Sequence, residues 1–319
     1  MDRYLITGFS GFVGRYFVKY LENRGDKCIV KGLDIYNPDF DVDKYRNVKI
    51  SFEKADLLSQ EKTEYIIHEF QPDYILHLAS FSSVAFSWKE PVQSFTNNTN
   101  IFLNLVDAVR RLNIRTRILS IGSSEEYGSV RDEDLPLRED HKLNPLSPYA
   151  VARISQEYLS MVYTEGFGID IILTRSFNHI GPKQKKVFVV SSLAKQLADL
   201  QKSGEKSGTI ITGDISIVRD FTDVRDVVDA YYRLLKKGKR GNIYNVCSGV
   251  GVSLKDVLTI MANHLGIEVN VVVDNSLIRP ADNKTIIGSN EKIKRELGWK
   301  NRIPLDQSLR EMLSYWRSN

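Results

Sequence analysis

Continuous apolar runs alternate with segments of helical periodicity through the first half of the chain. Residues 4–7, 28–33 and 74–79 are apolar runs of the kind that form parallel strands covered on both faces. Residues 91–112 and 148–166 instead place apolar side chains three and four positions apart, which predicts amphipathic helices. Strands that alternate with helices in this way predict an α/β fold with a right-handed, doubly wound parallel sheet.

The second half of the chain is less regular. Strand-like runs at residues 170–175 and 242–247 are separated by helical stretches and polar loops. We therefore predict a larger domain over residues 1–175, with residues 209–250 partly returning to its sheet. Residues 176–319 are predicted to form mainly a smaller C-terminal lobe.

The composition is that of a globular protein with a large core: 319 residues, 42% hydrophobic and 26% charged. The net charge of +4 is spread along the chain, and the densest basic stretch, residues 236–240, is interpreted as a solvated helix end; no nucleic-acid partner is predicted. Cys28 and Cys247 lie in apolar runs without metal-ligand spacing, so we predict buried thiols and no metal site. No apolar run reaches the roughly 18 residues of a membrane span, and the first strand begins by residue 3, so a soluble cytoplasmic protein is expected.

Three regularly spaced glycines, Gly8, Gly11 and Gly14, lie between the first predicted strand and the first helix. In that setting Gly8 allows a tight turn, Gly11 lets the backbone approach a pyrophosphate, and Gly14 lets the helix pack on the strand. Asp34 ends the second predicted strand, where a carboxylate can bind the hydroxyls of an adenosine ribose. This pattern predicts a Rossmann-type dinucleotide turn, rather than a glycine-rich turn without a ligand. Because Asp34 would repel a 2′-phosphate, NAD(H) is favoured, with NADP(H) as the alternative.

A hydroxyl, a phenol and a cation follow in the order Ser123, Tyr149 and Arg153. A phenol ionises only near about pH 10 unless a neighbouring cation stabilises the phenolate. Positions i and i+4 share a helix face, so Arg153 can lie beside Tyr149. The Ser123 hydroxyl can hydrogen-bond the same substrate oxygen. This grouping suits proton-coupled hydride transfer to a sugar ketone, although a Tyr–Arg pair alone is more often a surface contact.

Together these residues resemble the extended short-chain dehydrogenase/reductase family of nucleotide-sugar enzymes, from about Arg3 to Trp316. Besides the glycines and the Ser, Tyr and Arg, the residues that carry the resemblance are Asp34, Asp56-Leu57, His77-Leu78-Ala79, Asn98, Ser124-Glu125, residues 219–224 and Arg279-Pro280. The nearest similarity within the family is to reductases of GDP-linked 4-keto-6-deoxyhexoses, through residues 121–128 and 177–182.

The resemblance implies specific roles for these residues. Tyr149 would protonate the C4 oxygen of the sugar, Ser123 would hold that oxygen, and Arg153 stands where the family has lysine. The implied cofactor-binding residues are Gly8, Phe9, Gly11, Phe12, Val13, Gly14, Asp34, Asp56, Leu57, Leu78, Ala79, Ser80, Asn98, Tyr149 and Arg153. The implied substrate-binding residues are Ser124, Asn178, Arg219 and Arg279, and the two arginines suit a pyrophosphate.

Two substitutions depart from the family pattern. The family's lysine also hydrogen-bonds the nicotinamide ribose, and arginine is not equivalent to lysine at such a site. The resemblance therefore predicts slower catalysis with Arg153 than with lysine. In the helix after Asn98, Ile101 and Phe102 replace the usual Gly-Thr, and this is expected to change helix packing rather than chemistry.

Several functions remain open from the sequence. Reduction of the C4 ketone of a GDP-linked 4-keto-6-deoxyhexose is favoured over a GDP-mannose 4,6-dehydratase, in which Glu125 would be the base that removes the C5 proton. Glu125 is equally well interpreted as a loop carboxylate that binds backbone amides. A nucleotide-sugar 4-epimerase and a catalytically silent nucleotide-sensing protein are further alternatives.

A homodimer is predicted from the same resemblance, since family members pair through the helices that correspond to residues 91–112 and 148–166. The apolar side chains available for this contact are Phe95, Phe102, Val106, Val109 and Leu112. The same side chains could instead face the sheet of their own subunit.

Overall fold

The computed structural model of the protein describes residues 1–281 and 283–319. In this part of the chain the strands are β1 (Asp2–Thr7), β2 (Cys28–Asp34), β3 (Val48–Lys54), β4 (Tyr74–His77), β5 (Arg117–Ser123), β6 (Asp170–Ser176), β7 (Asn178–Ile180), β8 (Ser207–Thr212), β9 (Val218–Asp223), β10 (Ile243–Val246), β11 (Gly251–Ser253), β12 (Glu268–Val273) and β13 (Thr285–Ile286). The helices are α1 (Phe12–Arg24), α2 (Gln60–Phe70), α3 (Val84–Lys89), α4 (Pro91–Arg111), α5 (Pro148–Phe167), α6 (Val189–Lys202), α7 (Val224–Lys237), α8 (Leu254–Leu265), α9 (Glu291–Leu297) and α10 (Leu305–Ser318).

Seven strands form a parallel sheet in the order β10-β6-β5-β4-β1-β2-β3. The chain runs outward from β1 to β3 and then returns to add β4 on the other side of β1. This reversal confirms the predicted doubly wound α/β fold. Ligands of such sheets bind beyond the carboxyl ends of the strands at the point of reversal. Here that edge is formed by the ends of β1, β4 and β5.

Helices cover both faces of this sheet. On one face α1 and α7 pack over a core that includes Phe17 and Tyr231. On the other face α2, α4 and α5 enclose Phe102, Val106 and Val109, which are fully buried within the subunit. Phe102, Val106 and Val109 therefore face the sheet of their own subunit and are not available for a contact between subunits. Phe95 remains 40% exposed.

The smaller lobe has its own core between α6, α8 and α10. Strand β8 pairs with β12, and β9 pairs with β7, β11 and β13, so only α7 and β10 return from residues 209–250 to the large sheet. From the C-terminal region, Ile293 and Trp299 pack into the core of the large sheet. None of the helices in the described residues is both long and apolar enough to span a bilayer.

Some predicted boundaries are wrong in detail. Strand β4 ends at His77, not at Ala79, because the chain turns there toward the glycines after β1. The seven-residue helix α9 is too short to be recognised from the pattern alone. Helix α10 places Leu305, Leu309, Met312, Leu313 and Trp316 at helical spacing, and the sequence prediction missed this signal. The burial of both helices depends on contacts with α7 and α6 that lie far away in sequence.

Candidate active site

The three glycines form a bare backbone turn between β1 and α1. Gly8 has φ of +66°, and a Cβ there would lie 2.7 Å from the Ala79 nitrogen. A Cβ at Gly14 would lie 2.4 Å from the carbonyl oxygen of Phe9, whose own side chain is buried. Gly11 begins the helix without a side-chain cap, so the first amides of α1 are left to other acceptors. Uncapped amides at a helix start are donors of the kind that bind a pyrophosphate.

The start of α1 lies against the smaller lobe. Phe12 stacks on His179 with ring centroids 6.2 Å apart, and Val13 packs against the large core. The side chains of Phe12 and Val13 therefore pack against protein on either side of the turn. Gly181 also lies close to Phe12. We propose that their cofactor contacts are made mainly through the backbone.

Asp34 ends β2 beside the glycine turn. Its Oδ2 accepts from the backbone nitrogen of Ser10 at 3.0 Å, and its Oδ1 accepts from that of Tyr36 at 3.1 Å. These bonds orient the carboxylate while each oxygen keeps a lone pair for a ribose hydroxyl. Asp56 is exposed farther along the same edge of the sheet, and Leu57 next to it is buried, so a proposed contact with adenine falls to Asp56 and to the Leu57 backbone.

The loop of residues 78–80 closes over the glycine turn. Its Ala79 nitrogen donates to the Thr7 hydroxyl at 3.2 Å. Asn98, on α4, uses both ends of its amide on the backbone of Phe81: Oδ1 accepts at 2.7 Å and Nδ2 donates at 3.2 Å. The cofactor contact of Asn98 stays a prediction, because Nδ2 keeps a second N–H for a ligand. Its amide is engaged in holding this loop in place.

Tyr149 and Arg153 lie together on the first turns of α5, which Ser147 caps by accepting from the nitrogen of Ala150. The Arg153 Nε donates to the Tyr149 hydroxyl at 3.1 Å. Its Nη1 donates to the carbonyl oxygen of Ile121 at 3.0 Å and to Gln156 Oε1 at 2.7 Å. Arg153 is 5% exposed and Tyr149 is 6% exposed. Within the described residues Arg153 forms no ion pair with a carboxylate, so a Tyr149 phenolate would be its nearest anionic partner.

Ser123 ends β5 at the same edge. Because Arg153 binds the Ile121 carbonyl two residues earlier, the phenol–guanidinium pair is anchored to the strand that carries Ser123. The Ser123 Oγ accepts from the nitrogen of Glu125 at 3.2 Å, which leaves the hydroxyl hydrogen to be donated to a substrate oxygen. Ser124 is buried directly after it.

Three of the residues predicted to bind substrate lie on separate segments of the smaller lobe. Arg279 Nη1 donates to Glu125 Oε1 at 3.2 Å. Arg219 is buried on β9, with its Nη1 donating to the carbonyl oxygen of Val218, and both arginines have a further interaction. Asn178 is exposed on β7, next to β9. Arg279 thus lies beside the Ser123–Glu125 corner, and β7 and β9 bring Asn178 and Arg219 into one sheet.

Comparison with known proteins identifies the family. Residues 5–312 match the family described as GDP-mannose 4,6 dehydratase. The chain belongs to this family. A GDP-6-deoxy-D-mannose reductase from Pseudomonas aeruginosa is 33% identical over 99% of this chain and 98% of its own length. A GDP-mannose 4,6-dehydratase from Vibrio cholerae is 26% identical over 97% of this chain and 92% of its own length.

A solved structure of RMD from Pseudomonas aeruginosa complexed with NADPH is similar over the whole fold. It has a TM-score of 0.86 and 33% identity, over 100% of this chain and 99% of that chain. Membership of the GDP-mannose 4,6-dehydratase family confirms the resemblance to nucleotide-sugar enzymes that the motifs indicate.

A buried cluster lies behind Ser123, and the motifs do not reveal it. Glu126 is fully buried, and its Oε1 accepts from the Ser123 nitrogen at 2.5 Å. Arg175, on β6, binds Glu157 with two hydrogen bonds of 2.9 and 2.8 Å and lies 3.9 Å from Glu126. Two carboxyl groups thus share one guanidinium. Burial, followed by the nearby Glu157 carboxylate, raises the pKa of Glu126 well above 4.5.

We expect Glu126→Gln to stabilise the protein by an amount that grows with pH. Because the folded protein holds the Glu126 proton more tightly than the unfolded chain does, the wild type loses stability as pH rises above about 4.5. Glutamine is neutral at every pH and keeps an oxygen for the Ser123 nitrogen. Urea unfolding at several pH values between about 5 and 9 measures the difference. The exposed Glu165→Gln is the control, and a gain that shrinks with rising pH would contradict this assignment.

Proposed function

We propose that the protein reduces the C4 ketone of a GDP-linked 4-keto-6-deoxyhexose, converting GDP-4-keto-6-deoxy-D-mannose to GDP-D-rhamnose. The observation that carries the proposal is the hydrogen bond between Arg153 Nε and the Tyr149 hydroxyl at the carboxyl edge of the sheet. It occurs in a chain that is similar over its full length to a GDP-6-deoxy-D-mannose reductase.

The cofactor is proposed to be NAD(P)H, which supplies the hydride. The backbone between Gly8 and Gly14 would hold its pyrophosphate, and Asp34 would bind the adenosine ribose. Asp34 favours NADH, because its carboxylate would meet a 2′-phosphate as a like charge. The structure of the relative from Pseudomonas aeruginosa contains NADPH. The assay therefore tests NADH and NADPH separately.

The chain's own residues manage the proton. Ser123 donates a hydrogen bond to the C4 oxygen and orients the ketone. Tyr149 gives its proton to that oxygen as the C4 carbon becomes tetrahedral, so the sugar gains one hydrogen on carbon and one on oxygen. Arg153 stabilises the phenolate that remains until solvent returns the proton. Arg219 and Arg279 are proposed to bind the diphosphate, and Asn178 and Ser124 to contact the nucleotide sugar.

The ion pair at Glu125 favours reduction over dehydration. A dehydratase needs a free carboxylate to take the C5 proton from the oxidised sugar. In this protein Glu125 Oε1 already accepts from Arg279 at 3.2 Å, and both side chains are about one-third exposed, at 33% and 34%. The contact is modest in energy at that exposure. It still directs one carboxylate oxygen at a cation instead of at the sugar.

The test is incubation of the purified protein with the 4-keto-6-deoxy sugar and either NADH or NADPH. Stoichiometric loss of the reduced-nicotinamide absorbance, with a product two hydrogens heavier by mass spectrometry, supports the proposal. Formation of a ketone from GDP-mannose without net change in the cofactor would identify a dehydratase. Exchange of C4 epimers without net redox change would identify an epimerase, and tight binding without turnover a nucleotide-sensing protein.

A homodimer is proposed as the working form, formed by the exposed faces of α4 and α5. Val151, Tyr158 and Val162 recur at helical spacing on α5 and are 43%, 57% and 57% exposed. Val92 and Phe95 add apolar surface at the start of α4, where they are 77% and 40% exposed. Two copies paired through these helices would cover the patch, which a soluble subunit otherwise leaves in water.

We expect the double variant Tyr158→Glu, Val162→Glu to be monomeric under conditions in which the wild type is a dimer. Two carboxylates in an apolar contact would have to lose their hydration without partners. Light scattering coupled to gel filtration measures the mass of each protein. Val272→Glu, on the lobe strand β12 and 45% exposed, is the matched control. A wild-type protein that is monomeric at micromolar concentration would contradict the assignment.

A further inference from the structure

Arg153 is held by strand β5 and by its own helix. Its Nη1 donates both to Gln156 Oε1 at 2.7 Å and to the Ile121 carbonyl oxygen at 3.0 Å. A guanidinium is planar, so fixing Nη1 also fixes the direction in which Nε donates. That direction is the Tyr149 hydroxyl, 3.1 Å away.

Gln156 is itself fixed by its neighbours. Its Nε2 donates to Ser120 Oγ at 2.9 Å and to the Ile121 carbonyl oxygen at 3.2 Å, and it is 1% exposed. Ser160 Oγ lies 3.1 Å from Ser120 Oγ and completes the cluster. Because the amide nitrogen of Gln156 has two acceptors on the strand side, the amide oxygen must point toward Arg153.

The charge of Arg153 is not neutralised by this cluster. The titratable groups that face it are Tyr149 on its own helix, His77 from β4 and Tyr231 from α7. Burial, and then the charge of Arg153, lowers the pKa of His77 to about 3, so the imidazole is neutral, packed beside the Thr7 hydroxyl. Burial raises the pKa of Tyr231, whose hydroxyl contacts Ser176 Oγ at 2.7 Å.

A neutral amide is the side chain that suits this position. A glutamate at residue 156 would accept the same hydrogen bond from Nη1, but it would also neutralise the cation. Leucine would fill the space but would leave Nη1 with the Ile121 carbonyl alone. Only an amide both holds the guanidinium and leaves its charge to the phenol.

We propose that Gln156 is a positioning residue for the reduction: it holds the Arg153 guanidinium so that Nε is directed at the Tyr149 hydroxyl, and it does so without cancelling the charge. This inference rests on the proposed function. Gln156 touches neither substrate nor cofactor and acts only through Arg153.

A double-mutant cycle tests the proposal. In the wild type, Gln156→Leu is expected to lower kcat by on the order of ten- to a hundredfold, the scale of a small misplacement of a catalytic group. KM for the ketone and for the cofactor is expected to stay within about twofold, because Gln156 contacts neither of them. In an Arg153→Lys background the same change is expected to cost less than about threefold, since lysine has no second nitrogen for Gln156 to hold. Equal losses in the two backgrounds would overturn the proposal.

A substrate-free measurement separates this inference from the proposed function. The difference in ultraviolet absorbance between a protein and its Tyr149→Phe counterpart reports formation of the Tyr149 phenolate as pH rises. Gln156→Leu is expected to move that transition to higher pH, because Nε is no longer directed at the phenol. Gln156→Glu keeps an acceptor for Nη1, so it serves as a second variant in case Gln156→Leu folds poorly. It is also expected to move the transition to higher pH, because its carboxylate cancels the charge of Arg153.

Gln196→Leu is the matched control for both readouts. Gln196 also makes two hydrogen bonds to backbone, with Ile211 on β8, but it lies in the smaller lobe. It is expected to change neither the phenolate transition nor kcat. If the wild type reduces no ketone, the proposed function fails while the absorbance titration still decides the role of Gln156. An unchanged titration in both Gln156 variants would overturn that role.

Discussion

Replacing Tyr149 with phenylalanine is expected to lower kcat for ketone reduction by about a thousandfold, within the range seen when a positioned general acid is lost. The phenol is the group that can deliver a proton and leave an anion beside a buried cation, since Arg153 Nε lies 3.1 Å from its oxygen. The Ser123 hydroxyl can polarise the ketone, and Tyr149 supplies the proton. Steady-state kinetics with the 4-keto sugar and saturating cofactor measure the loss.

The control for Tyr149→Phe is a second tyrosine that lies far from the site. Tyr65→Phe, on α2 and 59% exposed, removes the same hydroxyl group far from the site and is expected to leave kcat unchanged. Tyr149→Phe is expected to bind NAD(P)H nearly as well as wild type, because the glycine turn is untouched. If Tyr149→Phe kept full turnover, the proton donor would have to lie elsewhere and the proposed mechanism would be wrong.

The contacts of Arg153 argue against the prediction that Arg153→Lys is faster than wild type. Comparison with a family that has lysine there predicts that Arg153→Lys accelerates catalysis. In the structure, however, the guanidinium contacts Tyr149, Ile121 and Gln156 at the same time. A single ammonium nitrogen cannot reach all three acceptors, and the buried Gln156 oxygen would lose its donor at a cost of about 1–3 kcal/mol. We therefore expect Arg153→Lys to be slower than wild type, and the cycle described above contains the variant that decides it.

The sequence could predict those parts of the site that local geometry determines. Tyr149 and Arg153 are one helical turn apart, so their contact follows from helix periodicity alone. The glycine turn follows from its place between a strand and a helix, and the collision that a Cβ at Gly8 would make with Ala79 shows why that residue is glycine. The buried state of Cys28 and Cys247 also followed from the apolar runs that contain them.

The remaining parts depend on contacts between distant segments. Gln156 lies three residues after Arg153, but the helix pattern does not reveal that this polar side chain is turned toward β5 and buried. The cluster of Glu126, Glu157 and Arg175 joins the end of β5, α5 and β6, and no spacing along the chain indicates it. Buried polar residues of this kind require the tertiary structure, because the same residues on an exposed surface would look identical in sequence.

Replacing Gly14 with alanine is expected to weaken NAD(P)H binding by on the order of a hundredfold, the effect of moving a binding group by about 1 Å. The added Cβ would lie 2.4 Å from the Phe9 carbonyl oxygen, so either the turn or the start of α1 must move. Phe9 cannot yield easily, because its ring is fully buried and packs on Phe40 and Phe52 at centroid distances of 5.4 and 6.0 Å.

The first turn of α1 is therefore the part that shifts in Gly14→Ala, and it carries the amides that the pyrophosphate needs. Overpacking at this point is also expected to cost about 1–3 kcal/mol in the free energy of unfolding. Gly166→Ala on α5 is the matched control: a Cβ there meets nothing within 4 Å, so cofactor affinity should be unchanged and the helix slightly more stable. Fluorescence titration with NADH and NADPH, together with urea unfolding, measures both effects. Wild-type affinity in Gly14→Ala would show that the cofactor does not bind at this turn, and the assignment of the whole site would have to be abandoned.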